Sequence, residues 1–177
     1  VANKTRRIEN YIKTLSLLDK RFTLSLMLAP GNNVLVSTLR ELADQLAPGR
    51  VTFMEPSPPA DIVKNISNFD IGIPFIDLPN KNYGYTIPNK FFDYIVAGHC
   101  QVLPPHVILE KIVTRYGTGY IAPAEGPKAL ASVLSALTPE QINHCKQNAL
   151  ELAKTMNADA EMAKLLPIYQ SLLAGAD

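Results

Sequence analysis

Apolar residues at Ile8, Tyr11, Ile12, Leu15 and Leu18 recur at steps of three and four and predict a helix over 6–18 with one buried face. The period then changes. Phe22, Leu24, Leu26 and Leu28 alternate with small or polar residues up to Ala29-Pro30-Gly31, which predicts a strand running into a turn. A second helix carries Leu35, Leu39, Leu42 and Leu46 on one side and is broken by Pro48-Gly49. Val51 to Met54 reads as a strand. Ser57-Pro58 supplies an N-cap with proline at the first helical position, opening a third helix that runs to about Phe69.

Phe69-Asp70-Ile71-Gly72-Ile73-Pro74-Phe75 is apolar on both faces, as in a central strand of a parallel sheet covered by helices on either side. A polar loop, Asp77 to Thr86, leads to a helix starting at Pro88 and ending at Ala97-Gly98. Next come a strand at Cys100 to Leu103, a short helix from Ile108 to Arg115, and a last short strand from Gly119 to Ala122. Two or three helices finish the chain. Thr138-Pro139-Glu140-Gln141 carries a capping-box pattern, and Pro167 is expected to kink or interrupt the final helix. Strands alternating with helices predict an α/β, Rossmann-like doubly wound parallel sheet with helices on both faces. Ligands of such a sheet lie beyond the carboxyl ends of its strands.

At 177 residues the chain is long enough for one well-buried domain, taken as 1–177, and short for two. Its formal charge of +1 gives no general electrostatic reason to bind nucleic acid or an anionic membrane. No apolar run reaches the roughly 20 residues a transmembrane helix needs, and no signal peptide is visible, so a cytoplasmic protein is expected. Cys100 and Cys145 lack metal or redox spacing and read as reduced, packed thiols. No two of His99, His106 and His144 have metal-ligand spacing, so none is assigned to a metal. The chain starts at Val1 with a helix as its first recognisable element, which suggests a piece of a longer protein.

The stretch Ile87-Pro88-Asn89-Lys90-Phe91-Phe92-Asp93-Tyr94-Ile95-Val96-Ala97-Gly98 carries the candidate chemistry. Pro88 at the first helical turn gives up an N–H that would have no intrahelical partner. Because this helix follows a strand, its N–H groups and positive dipole end would point to the crevice above the sheet and stabilise a phosphate. Lys90 adds a movable positive charge. Asp93, set among aromatic and aliphatic neighbours, needs donors to offset its desolvation, and two adjacent ribose hydroxyls would provide them. The same punctuation also suits an ordinary helix, and on these features alone that plainer reading is favoured by about two to one.

The segment "PNKFFDYIVAG" closely resembles the "PNKLFEYMAAG" segment in the carboxy-terminal domain of GT-B glycosyltransferases that use nucleotide-sugar donors. "RRIENYIKTL", "RFTLSLML", "RVTFME", "FDIGIPF" and "YGTGYIAP" look like successive blocks of the same family, so the resemblance covers nearly the whole chain. It implies a donor-binding domain whose amino-terminal acceptor domain is absent, with a first strand missing from the sheet. Asp93 would bind the ribose hydroxyls, where the family usually has glutamate. Asn89 and Lys90 would be further donor-binding residues. Gly84, Tyr85 and Thr86, with Asn82 and Tyr83, would form the loop at the diphosphate and sugar. Lys4 and Arg6, in a segment with Asn3 and Arg7, would supply cations to the leaving group. The retaining-enzyme pattern has a second acid where this chain has Tyr85, which leaves the stereochemical class and sugar recognition open.

What this implies is sugar transfer from a nucleotide diphosphate-sugar to an acceptor hydroxyl in polysaccharide or glycoconjugate synthesis. Neither a metal nor another resident cofactor is required. No general base is identifiable, and any peripheral membrane association would come through the absent half. The alternatives are a non-catalytic α/β nucleotide- or partner-binding module, kept open by Tyr85, and a sugar-nucleotide epimerase of the same fold, whose carboxylates and histidines are not found here.

Overall fold

The structure, a computed structural model, describes residues 7–28, 33–74 and 84–174. Five strands and eight helices are described: α1 (Glu9–Ser16), β1 (Leu24–Met27), α2 (Asn33–Leu46), β2 (Val51–Met54), α3 (Ile62–Ile66), β3 (Ile71–Gly72), α4 (Asn89–Val96), β4 (Cys100–Leu103), α5 (Leu109–Tyr116), β5 (Gly119–Ile121), α6 (Pro127–Ala136), α7 (Pro139–Ala153) and α8 (Ala158–Ala174). Every strand pairing among them is parallel. This is the doubly wound α/β arrangement that the alternation of periods implies.

Among the described residues the strands fall into two ladders, β1–β2 and β3–β4–β5, and no ladder joins β1 to β3. Helix α1 connects the two halves through its side chains. Ile8 and Ile12 pack with Leu26, Leu39 and Ala43 of the β1–β2 half, while Leu18 packs with Cys100 and Val102 of the other. Tyr11 contributes to both groups, and its hydroxyl donates to the Ile73 carbonyl oxygen at 3.5 Å. Arg50 secures the turn after α1: its guanidinium donates to the carbonyl oxygens of Leu15, Leu18, Asp19 and Phe22. Leu15 is in the last turn of α1 and the other three follow the helix, so one arginine ties the helix end to the turn after it.

The strand buried on both faces is β4, not the Phe69–Phe75 segment in which that role was expected. All four β4 positions are buried, whereas β3 extends over Ile71–Gly72 and lies at one side of its ladder. The reason is position. Cys100 and Val102 face Leu130, Leu134 and Cys145 of α6 and α7, while Leu103 faces Phe91, Ile95, Leu109 and Val113 of α4 and α5. Four short residues thus receive helices from both sides.

Three local expectations need correction. Ser57 does not cap a helix; its hydroxyl accepts from Asn65 Nδ2 at 2.7 Å, and a 3₁₀ turn at Pro59–Asp61 precedes the short α3. Pro88 is the N-cap of α4 rather than its first residue, with extended backbone angles. Helix α8 continues through Pro167 without being interrupted there. Its Met162, Leu166, Ile168, Tyr169, Leu172 and Leu173 are exposed. No described helix is long and apolar enough to cross a membrane.

Candidate functional site

Strands β3 and β4 are parallel and joined through α4, so the helix must run back against the strand direction and its amino end lies toward their carboxyl ends. The placement follows from connectivity. Pro88 holds the extended φ and ψ of an N-cap, and its carbonyl accepts the Phe91 N–H at 2.9 Å. Pro88 itself supplies no side-chain cap.

The other end is closed firmly. Gly98 has φ of 72°, its N–H donates to the Ile95 carbonyl, and the His99 N–H donates to the Tyr94 carbonyl at 2.9 Å. This is a Schellman motif, and it requires the positive φ that glycine adopts without strain. A Cβ at Gly98 would also meet the Leu150 side chain at 2.8 Å. The chain therefore passes from α4 to β4 in the fewest residues.

Phe91 and Ile95 point into the core and are wholly buried, and Phe92 meets Phe91 edge to face. Burial of two such side chains contributes about 2–3 kcal/mol each, which seats the helix. Tyr94 lies on the sheet: a Cβ at Gly72 would stand 2.6 Å from the Tyr94 ring, so glycine there admits it. Tyr94 stacks on His99 with ring centroids 5.3 Å apart, and burial, then the charge of Asp93, pushes its phenol up to about 12.

With the apolar face of α4 committed to the core, Asn89 and Lys90 are exposed and Asp93 is half-buried. Partial burial raises the Asp93 pKa above the usual carboxylate value, and the nearby Lys90 ammonium opposes the shift. Asp93 is thus neither embedded in hydrocarbon nor fully hydrated. An ionised carboxylate so placed gains from hydrogen-bond donors brought by a ligand.

Gly84 is buried, and Tyr85 and Thr86 are exposed beside the helix start. The structure therefore brings Gly84, Tyr85, Thr86, Asn89, Lys90 and Asp93 to one end of α4. Lys4 and Arg6, with Asn3, Asn82 and Tyr83, lie outside the described residues. Two cavities formed by described side chains lie elsewhere. One of about 120 Å³ is lined by residues including Arg40, Asp44 and Phe53; the other, of about 250 Å³, by Tyr116, Asn148, Glu151, Leu152 and Thr155. Neither includes a candidate residue.

Several roles were not visible in the one-dimensional pattern. His106 Nδ1 accepts from the N–H groups of Ile108 and Leu109, closing the start of α5. Buried His99 donates its Nε2–H to the Ile66 carbonyl at 2.8 Å, and burial lowers its pKa. Cys100 and Cys145 are free thiols in contact; their shared hydrogen bond, then burial, holds the Cys100 thiol well above its ordinary value. Gln101, a lone amide in an apolar strand, donates to the Phe91 carbonyl. Among these, Gln101 shows in the sequence as a polar side chain inside Cys100 to Leu103, and Cys100 is the free, packed thiol expected. No group of three His, Cys, Asp or Glu residues able to hold a metal occurs among the described residues.

No protein-family model matches the sequence, and no curated protein matches it. Solved structures do match. A structure of Anabaena Alr3699/HepE in complex with UDP superposes with a TM-score of 0.74 at 15% identity, covering 97% of this chain and 46% of that one. The same protein with UDP and glucose gives 0.71 at 15% identity, over 98% and 46%. WaaG, a glycosyltransferase involved in lipopolysaccharide biosynthesis, gives 0.61 at 14% identity, over 86% and 40%. The chain spans less than half the length of each. With β3, α4 and β4 connected as described, the chain has the fold of a GT-B glycosyltransferase carboxy-terminal domain.

Proposed function

We propose that this chain binds the nucleotide diphosphate-sugar donor of a glycosyltransferase that moves a sugar to an acceptor hydroxyl, in the synthesis of a polysaccharide or glycoconjugate. The observation that carries the reading is Asp93: a half-buried acid one turn inside a helix whose N-cap is a proline without a side-chain acceptor and whose first turn bears Lys90. A fold shared with a UDP-bound structure supports it.

As the bond between sugar and diphosphate breaks, negative charge grows on the leaving oxygens. The amino end of α4 and the Lys90 ammonium would stabilise that charge, since both are in place before the reaction. Asp93 would accept from the two ribose hydroxyls and hold the nucleoside still, which contributes by orientation. Gly84 would let backbone approach the diphosphate, and Tyr85 and Thr86 would contact the sugar. Lys4 and Arg6 would add positive charge. The reaction needs no resident cofactor in this reading. Acceptor binding and deprotonation belong to a separate amino-terminal domain, through which any membrane contact would occur, and the whole protein acts in the cytoplasm.

Titration calorimetry with UDP, GDP and their sugars tests the proposal. Binding at or below millimolar concentration that weakens in Asp93→Asn supports it. If no nucleotide or nucleotide-sugar binds at millimolar concentration, the chain is a non-catalytic partner-binding module instead, a reading that the exposed Tyr85 in place of an acid favours.

A further inference from the structure

Gln101 is the polar residue of β4, whose other positions are Cys100, Val102 and Leu103, and all four are buried to 0% exposure. Its Nε2 donates to the Phe91 carbonyl oxygen at 3.2 Å, and its Oε1 has no hydrogen-bond partner in the described structure. Burying an amide with one end unpartnered costs stability that methionine or leucine would not incur here. Packing alone therefore does not account for it.

What the amide touches does. Phe91 directly follows Lys90 and lies two residues before Asp93, in the first turn of α4. The apolar contacts of Phe91 and Ile95 set how deeply the helix sits, but they are non-directional and resist sliding along its axis weakly. A hydrogen bond from the sheet is directional and resists that motion.

Gln101 is itself fixed. Its in-register neighbours are Gly72 on β3 and Gly119 on β5. A Cβ at Gly119 would overlap the Gln101 carbonyl oxygen, so glycine allows β5 this close approach. Between two glycines, the Gln101 side chain stands alone as a post from a clamped backbone to the start of the helix.

We propose that Gln101 is a positioning residue that sets the axial placement of the first turn of α4, and through it the placement of Lys90 and Asp93 toward a diphosphonucleoside. The ligand part of this inference rests on the donor-binding reading above; the strut itself does not.

Gln101→Met and Gln101→Leu test it with three readouts on the full chain: thermal melting, amide hydrogen exchange over residues 91–94, and UDP calorimetry. Both variants are expected to melt at or above the temperature of the parent chain. Exchange in the first turn of α4 should accelerate and UDP affinity should fall, each by about fivefold, the change that one neutral hydrogen bond corresponds to. Unchanged exchange in both variants overturns the strut, whether or not UDP binds. Unchanged affinity in a parent that does bind UDP overturns the positioning role. Loss of the fold in both variants assigns the amide to the core and overturns it also. A parent chain that does not bind UDP refutes the donor reading separately, and the exchange rates still decide the strut.

Discussion

Helices α4 and α7 both start beside a proline, and they differ in what completes their first turn. In α7 the Thr138 hydroxyl accepts from the Gln141 N–H, while the Gln141 side-chain oxygen accepts from the Thr138 N–H at 2.9 Å. That helix closes its own start. In α4 the N-cap is Pro88, whose ring offers no side-chain acceptor. Helices α1 and α6 also start without a side-chain cap, so an open start alone distinguishes nothing. The distinction of α4 is the combination of a proline N-cap, a lysine and a half-buried acid at the carboxyl edge of a parallel sheet. A capping box serves stability; a helix start whose N-cap brings no acceptor favours an anion.

The largest expected effect comes from removing the acid. Asp93→Asn should lower UDP affinity about 10- to 100-fold, as for loss of hydrogen bonds to a charged group. Its melting temperature at neutral pH should stay level or rise, because partial burial disfavours the ionised form that is removed. Calorimetry and thermal melting on the same sample check both. A parallel loss of stability and binding would show Asp93 to be a packing residue.

Giving α4 the closure that α7 has should come next. Pro88→Asp places an acceptor at an N-cap position that already has suitable backbone angles. The new carboxylate would stabilise the helix and compete with a diphosphate, lowering UDP affinity about tenfold. Equal affinity in this variant would remove the helix start from the site.

Opening α7 is the reciprocal change. Thr138→Ala should cost about 1 kcal/mol, which is about 2–4 °C in melting temperature for a chain of this size, with UDP affinity unchanged. A change in affinity would mean that the two helix starts are coupled.

The smallest effects concern pH: the two pKa shifts are opposite in direction, and both effects are losses on acidification. The raised pKa of Asp93 means that the carboxylate proposed to bind ribose is lost as pH falls through that value, so UDP affinity should decline on acidification, and the decline should vanish in Asp93→Asn. His99 has a lowered pKa, so the fold favours the neutral ring. Its contribution to stability is present above the ordinary value of 6.5 and is lost as pH falls below it toward the folded-state value. Thermal melting between pH 7 and 5 should show the fall, and His99→Gln should flatten it.

How much could be read in advance depended on the range of the interactions. The strands at Val51–Met54 and Cys100–Leu103 lie where their composition placed them, and the Thr138–Gln141 box and the positive φ of Gly98 are present as expected. Ser57 failed as a cap because Asn65 engages its hydroxyl, a competition between two polar side chains that spacing does not resolve. Asn89, Lys90 and Asp93 were legible because they lie on one short helix. Lys4 and Arg6 are more than 80 residues from that helix in the sequence and lie outside the described residues.

By itself the sequence determined the order of elements, the doubly wound class and the punctuation of individual helices, because dihedral preferences, caps and hydrophobic periods act over a few residues. Tertiary structure alone decided that β4 is covered on both faces, that glycines at 72 and 119 flank Gln101, that Gln101 reaches Phe91, and that His106 closes α5. Most of these depend on residues brought together across strand ladders and helix faces, and His106 on the direction its ring takes in the packed fold. Side-chain direction and strand neighbours exist only once the chain has packed.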